Sequence, residues 1–211
     1  TDAQNRAIEA ILQDMSQPHP MRRMLQGDVG SGKTAVAVAA ALAAVSGGTQ
    51  AALMAPTSIL AEQHNETIRL LLDHDPIRIE LLTGSLPEPE KQRIRDLTAA
   101  GEVDLLVGTH ALIQESVSFA DLGLAIVDEE HRFGVAQRAR LADAEVHPHI
   151  LQMSATPIPR SLAMTVYGDI DVSVLDELPA GRKPVITALR DSTAREGIYE
   201  FIRQEASKGH Q

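Results

Sequence analysis

The sequence contains no cysteine and no tryptophan, and aromatic residues make up only 2% of it. Without cysteine there can be no disulfide and no thiolate metal site, which suits a reducing cytoplasm. With two Tyr and three Phe, the core has to be assembled from Val, Ile, Leu, Met and many alanines. Hydrophobic content is nonetheless an ordinary 44%. No apolar run approaches the roughly 20 residues that cross a bilayer. The longest candidate, Ala35 to Val45, is short and follows a glycine-rich loop. No basic start precedes an apolar segment, so neither a secretion signal nor a membrane partner is expected. An excess of positive charge is also lacking. The formal charge of −10 excludes a generic basic nucleic-acid coat. It leaves room for nucleic acid held by a few placed donors, as suits a motor that must release its track in every cycle. A chain of 211 residues is long enough for one well-cored domain and part of a second. Its first residue is Thr1 rather than Met, which suggests a piece of something longer.

What is present is an alternation of short apolar runs with longer helical stretches, the pattern of βα units around a mostly parallel sheet. Strands are expected near Met24–Gln26, Gln50–Ala55, Ile77–Leu82, Asp104–Gly108, Gly123–Asp128, Ile150–Ser154 and Asp171–Leu175. Helices are expected near Asp2–Met15, Gly32–Ser46, Ser58–Leu72, Pro87–Ala99 and Glu130–Ala142. Two helix starts carry the capping-box spacing, Thr1 with Gln4 and Ser85 with Glu88. Residues 178–184 read as a linker. Beyond it, Val185–Leu189 reads as a strand and Thr193–Lys208 as a helix, a unit too small to bury both of its faces.

The segment Gly27-Asp28-Val29-Gly30-Ser31-Gly32-Lys33-Thr34 fits G-x-x-x-x-G-K-[ST] at every fixed position. Its glycines let the backbone wrap closely, so that N–H groups converge on a phosphate. The helix that follows directs its positive end to the same point. Lys33 supplies a mobile charge for the β and γ oxygens of ATP, and the Thr34 hydroxyl is suited to Mg²⁺.

A wholly apolar run, Leu124 to Val127, ends in Asp128-Glu129-Glu130-His131. In a doubly wound sheet, strand ends of this kind line the ligand crevice. Asp128 is suited to hold Mg²⁺ and Glu129 to orient or deprotonate the attacking water. His131 has no second His four residues on, so this is not the zinc arrangement H-E-x-x-H. His147 and His149 flank Pro148 without a partner at ligand spacing and read as surface residues.

The order of these motifs resembles the superfamily 2 helicases. Asp128 to His131 and Ser154-Ala155-Thr156 look like the Walker B and third motifs of that family. Residues 55–64 (APTSILAEQH) resemble its motif Ia. Thr83-Gly84-Ser85 and residues 108–114 (GTHALIQ) resemble two further motifs that contact DNA in the family. The strings DEEHRFGVAQR (128–138) and MSATPIPR (153–160) are similar to the RecG family of ATP-dependent DNA helicases and to transcription-repair coupling factor. GSGKT, AEQH, TGS and MSATPIPR are closer to the RecG pattern.

The resemblance implies a RecA-like P-loop NTPase of three-layer α/β type, with ATP and Mg²⁺ as cofactors. By the same carry-over, Lys33, Asp128, Glu129 and His131 form the catalytic set, with His131 in a relay to the DNA side. Residues 27–34 hold the nucleotide, and Thr34 and Asp128 hold the metal. Gln4 resembles the glutamine that reads adenine, although it also completes a capping box with Thr1. Thr57, Gly84, Ser85, Thr109 and His110 are the DNA candidates, each with ordinary N-capping as the competing role. Ser154 and Thr156 would couple nucleotide state to DNA movement. Arg132, Phe133, Gln137 and Arg138 would belong to a relay or interdomain surface. The expected partner is branched DNA, meaning forks and Holliday junctions. Residues 1–178 are then a first motor domain, and 179–211 a linker with the opening of a second. The rest of that second domain and an N-terminal wedge domain would lie outside the chain.

Overall fold

The expected apolar runs become parallel strands of one sheet. The structure is a computed structural model that describes residues 1–74, 76–109, 112, 117–128, 147–156, 170–177 and 187–209. Its strands are β1 (Arg22–Gly27), β2 (Gln50–Ala55), β3 (Ile79–Leu82), β4 (Leu105–Thr109), β5 (Leu122–Asp128), β6 (His149–Ser154) and β7 (Asp171–Leu175). They lie in the order β3-β4-β2-β5-β6-β1-β7, and every pairing is parallel. Helices α1 (Asp2–Met15), α2 (Lys33–Ser46), α3 (Ser58–Leu71) and α4 (Glu88–Ala99) intervene. The sheet is the P-loop NTPase α/β architecture. The helix expected over Glu130–Ala142 lies outside the described residues.

Successive strand side chains point to opposite faces, and both faces are apolar, as parallel strands between two helical layers require. On one face Leu25, Leu53, Val107, Leu124, Ile126 and Leu151 pack with Ala3, Ala7 and Ile11 of α1, Val36 to Ala44 of α2, and Ala61 and Ile68 of α3. On the other, Met54, Leu106, Ala125 and Val127 pack with Leu82 and with Ile94 of α4. Small alanines on α1 and α2 let these helices approach each other and the sheet. That is how a core almost without aromatics reaches close packing.

Polar groups fix the loops that connect these layers. Gln50 opens β2 and is buried. Its amide nitrogen donates to Thr98 O (3.0 Å) and Val103 O (2.7 Å). Its oxygen accepts from Ala120 N (2.7 Å) and Asp121 N (3.1 Å). One side chain thereby satisfies two buried carbonyls, each of which would cost about 1–3 kcal/mol unpaired, and two part-buried N–H groups. Arg23 on β1 reaches Asp14 of α1 at 2.7 Å and Ser173 of β7 at 2.9 Å, and so fastens helix to sheet.

Two expectations change here. The Thr1–Gln4 capping box forms, but the Ser85–Glu88 box does not. The N-cap of α4 is Pro87, with no side-chain cap, so Glu88 is the first helical residue rather than the third. The Ser85 hydroxyl instead pairs with Thr83 Oγ1 at 2.9 Å. His149 is not a surface residue. It is half-buried at the start of β6, and its Nδ1 accepts from Met21 N at 2.9 Å. His147 is exposed, as expected.

Burial holds the His149 imidazole below its ordinary pKa. The folded state therefore favours the neutral ring, and the unfolded chain binds the proton at higher pH. This contribution is complete above the unfolded value of about 6.5 and is lost as the pH falls below it. Urea midpoints are expected to drop between pH 7 and pH 5.5. His149→Asn, which keeps an acceptor for Met21 N but cannot titrate, should flatten that slope; an unchanged slope would contradict the assignment.

By its internal contacts the chain divides into Thr1–Pro179 and Ala180–Gln211. In the second unit residues 187–190 form no strand, since an isolated strand has no ladder to satisfy its backbone. Residues 185 and 186 lie outside the described set. A 3₁₀ turn (Ser192–Ala194), capped by Asp191, leads into α5 (Arg195–Ser207), which has no buried residue. Ile198, Tyr199, Phe201 and Ile202 are exposed on it.

Candidate nucleotide site

Parallel strands deliver their carboxyl ends to one edge of the sheet, where ligand crevices form. Here the register Gln26↔Ser154 and Asp128↔Met153 sets the ends of β1, β6 and β5 side by side. The glycine-rich loop leaves β1, Asp128 ends β5 and Ser154 ends β6. Sequence positions more than a hundred residues apart thus meet along this edge.

The loop has the geometry that a phosphate requires. Gly30 and Gly32 adopt φ values of 81° and 86°, the left-handed region that other residues avoid. A Cβ on Gly32 would also collide with the Gln4 amide nitrogen, and one on Gly27 would stand 2.5 Å from Ser31 Oγ. Helix α2 starts at Lys33, and its N-cap, Gly32, supplies no side-chain hydrogen bond. No N-cap side chain covers the opening turn of the helix, an arrangement that suits an anion at its positive end. Ser31 Oγ is buried without a partner among the described residues. Asp28 and Val29 are exposed, and Thr34 is half-buried in the first turn.

Lys33 Nζ donates to Gly27 O (2.7 Å) and Asp28 O (3.1 Å). These neutral acceptors hold the ammonium over the loop. A phosphate oxygen makes a stronger, charge-assisted bond and can displace them. Gln4 Nε2 donates to Ser31 O at 2.9 Å, and its oxygen accepts from the Thr1 nitrogen at 2.8 Å. Both ends of this amide are engaged, and one of them braces the loop.

Asp128 is buried at the end of β5. Being an even position beside Leu124 and Ile126, it falls on the face covered by α2 and α3. His64 of α3 meets it there, with Nε2 to Oδ2 at 2.8 Å and side-chain exposures of 14% and 12%. Among the described residues no cluster of three or more His, Cys, Asp or Glu is present. Mg²⁺ suits such a setting, because it is usually held by one or two protein groups together with phosphates and water. A hydroxyl at Thr34 and a carboxylate at Asp128 fit that description.

Ser154 is buried, and its hydroxyl pairs with Thr156 Oγ1 at 3.0 Å and accepts from Thr156 N at 3.2 Å. Gln26 Nε2, at the base of the phosphate loop, donates to Thr156 O at 2.9 Å. A change at the loop is therefore one side chain away from the Ser154–Thr156 turn.

Among the DNA candidates, Thr57 is exposed and caps α3, accepting from Leu60 N at 3.3 Å. Gly84 and Ser85 are exposed, whereas Thr109 is buried at the end of β4. His110, Glu129, His131, Arg132, Phe133, Gln137 and Arg138 lie outside the described residues. Sequence reasoning missed His64 and Gln26. The spacing of Ala61, His64 and Ile68 is the three-and-four pattern of a buried helix face and could have drawn attention to His64. Gln26 carried no signal beyond being polar in an apolar strand.

The fold and this edge define a P-loop NTPase domain of the helicase class. The chain belongs to the DEAD/DEAH box helicase family, whose sequence pattern matches residues 1–165. Along its full length it is similar to ATP-dependent DNA helicase RecG. It is 52% identical over 211 residues to the protein of Synechocystis sp., covering 100% of this chain and 25% of that protein. To the Bacillus subtilis protein it is 50% identical over 211 residues, covering 100% and 31%. A solved structure of RecG bound to a three-way DNA junction matches with a TM-score of 0.88 at 45% identity, over 99% of this chain and 28% of that one. A DEAD box protein from the hyperthermophile Methanococcus jannaschii shares the fold, with a TM-score of 0.62 at 22% identity over 83% of this chain and 50% of that one. The chain thus spans about a quarter to a third of the RecG relatives it matches.

Proposed function

We propose that the chain is the ATP-binding motor domain of a RecG-type helicase, which couples ATP hydrolysis to movement along duplex DNA and remodels forks and Holliday junctions. The observation that carries this reading is the meeting of the phosphate loop, Asp128 and the Ser154–Thr156 turn on one sheet edge. The similarity to RecG supports the choice of DNA as the track and favours RecG over the coupling factor.

In this reading residues 27–34 wrap the β-phosphate with their N–H groups, and Lys33 binds the β and γ oxygens. Thr34 and Asp128 hold Mg²⁺, which when bound neutralises charge on the transferring phosphoryl group. Glu129 orients the attacking water and accepts its proton, and His131 relays the state of that site. Gln4 braces the loop through Ser31 and stands on the adenine side. Thr57, Gly84, Ser85 and His110 supply hydroxyls and N–H groups to DNA phosphates, which tracks a backbone without reading sequence, with Thr109 buried behind them at the end of β4. The Ser154–Thr156 turn passes the nucleotide state toward them. A second motor domain and a wedge domain of the same protein complete the machine in the cytoplasm.

Glu129→Gln in the longer protein tests whether the site works by catalysis. Loss of a general base should lower ATP turnover by about 10²–10⁴-fold and abolish fork remodelling, with nucleotide binding retained. A domain acting only as a nucleotide-dependent scaffold would keep its function.

A further inference from the structure

We infer that His64 is a positioning residue for Asp128, and that α3 carries it there from the helix end that bears Thr57. The inference rests on the assignment of Asp128 as a metal-holding carboxylate. His64 Nε2 lies 2.8 Å from Asp128 Oδ2, and the two side chains are buried together, at 14% and 12% exposure. No other hydrogen bond to the Asp128 side chain occurs among the described residues. A carboxylate with one free torsion beyond Cβ is fixed in orientation by a single hydrogen bond to one of its oxygens. With Oδ2 held by His64, Oδ1 is the oxygen left to face a metal or its water.

The position of His64 is itself over-determined. It lies on the first two turns of α3, between Ala61 and Ile68, both 0% exposed in the core. Thr57 caps that helix seven residues earlier, about 10 Å along the axis at 1.5 Å per residue. Packing of Ala61 and Ile68 in the core holds this stretch of the helix as a strut. One end of the strut is an exposed threonine, and the other holds the aspartate. A load applied at the Thr57 end therefore reaches the carboxylate without passing through the phosphate loop. Groups that orient a metal ligand typically account for about 10–100-fold in metal affinity or activity. His64 belongs to that class by geometry.

The test measures a fluorescent ADP analogue binding to the 211-residue chain, with excess Mg²⁺ and with EDTA. In the wild type, Mg²⁺ should tighten binding. In His64→Ala the affinity in EDTA should stay within about twofold, while the gain from Mg²⁺ falls by about 10-fold or more. A double-mutant cycle guards against a merely structural effect: in an Asp128→Ala background, His64→Ala should change the Mg²⁺ gain no further. An unchanged Mg²⁺ gain in His64→Ala would overturn the inference while leaving the nucleotide site intact. So would an equal further loss in the Asp128→Ala background. Absence of any nucleotide binding by the wild-type chain would instead remove the functional reading on which the inference rests.

Discussion

ATP turnover by the longer protein is expected to fall by at least about 10²-fold when Lys33 is replaced by Ala, some 3 kcal/mol of transition-state stabilisation. The ammonium sits over the phosphate loop on the carbonyls of Gly27 and Asp28, so its charge is already in place before a phosphate arrives. Removing it takes away a preorganised cation, not only a contact. Loop geometry should survive, because Gly30 and Gly32 set the backbone and Gln4 braces Ser31. The variant is thus expected to melt within about 2 °C of the wild type, a shift of less than about 1 kcal/mol. Steady-state ATPase assays beside thermal melts separate the two effects. A large loss of thermal stability would mean that Lys33 holds the loop together, and turnover near wild type would remove it from the site.

The second large effect concerns the chain by itself. We propose that an arginine on a second motor domain completes the site from across a cleft; this chain covers only 25% and 31% of the RecG relatives. Supply of such an arginine is worth about 10³–10⁵ in rate in related NTPases. The 211-residue chain should therefore turn over ATP slower than the longer protein by a factor of that order, with or without DNA. The expectation is checked by assaying both at saturating ATP and forked DNA. DNA-stimulated turnover of the chain at the rate of the longer protein would contradict it.

The fold was largely readable because its signals are local. The strands are short, mostly apolar runs, as in Leu124 to Val127 of β5, and the amphipathic helices carry three-and-four periodicity. The phosphate loop is readable for the same reason, since all of its determinants lie within residues 27–34. What could not be read is tertiary pairing. Nothing near Asp128 in sequence indicates that His64 will meet it, because α3 and β5 come together only once β2 separates β4 from β5 in the sheet. Gln50, Gln26 and His149 are of the same kind: polar residues whose roles are set by backbone groups 40 to 130 positions away. The helix over Pro87–Ala99 was read to within one residue, but its capping box was misjudged because Pro87 occupies the N-cap, two residues beyond Ser85. Residues 187–190 show the reverse case, the described end of an apolar run that forms no strand.

The central claim is that nucleotide hydrolysis at the β1, β5 and β6 edge drives movement on branched DNA. It is tested most directly by ATP turnover of the longer protein on forked and on linear DNA of equal length. The account predicts that forked DNA stimulates turnover well above linear DNA. Equal turnover on both, or turnover indifferent to DNA, would contradict it.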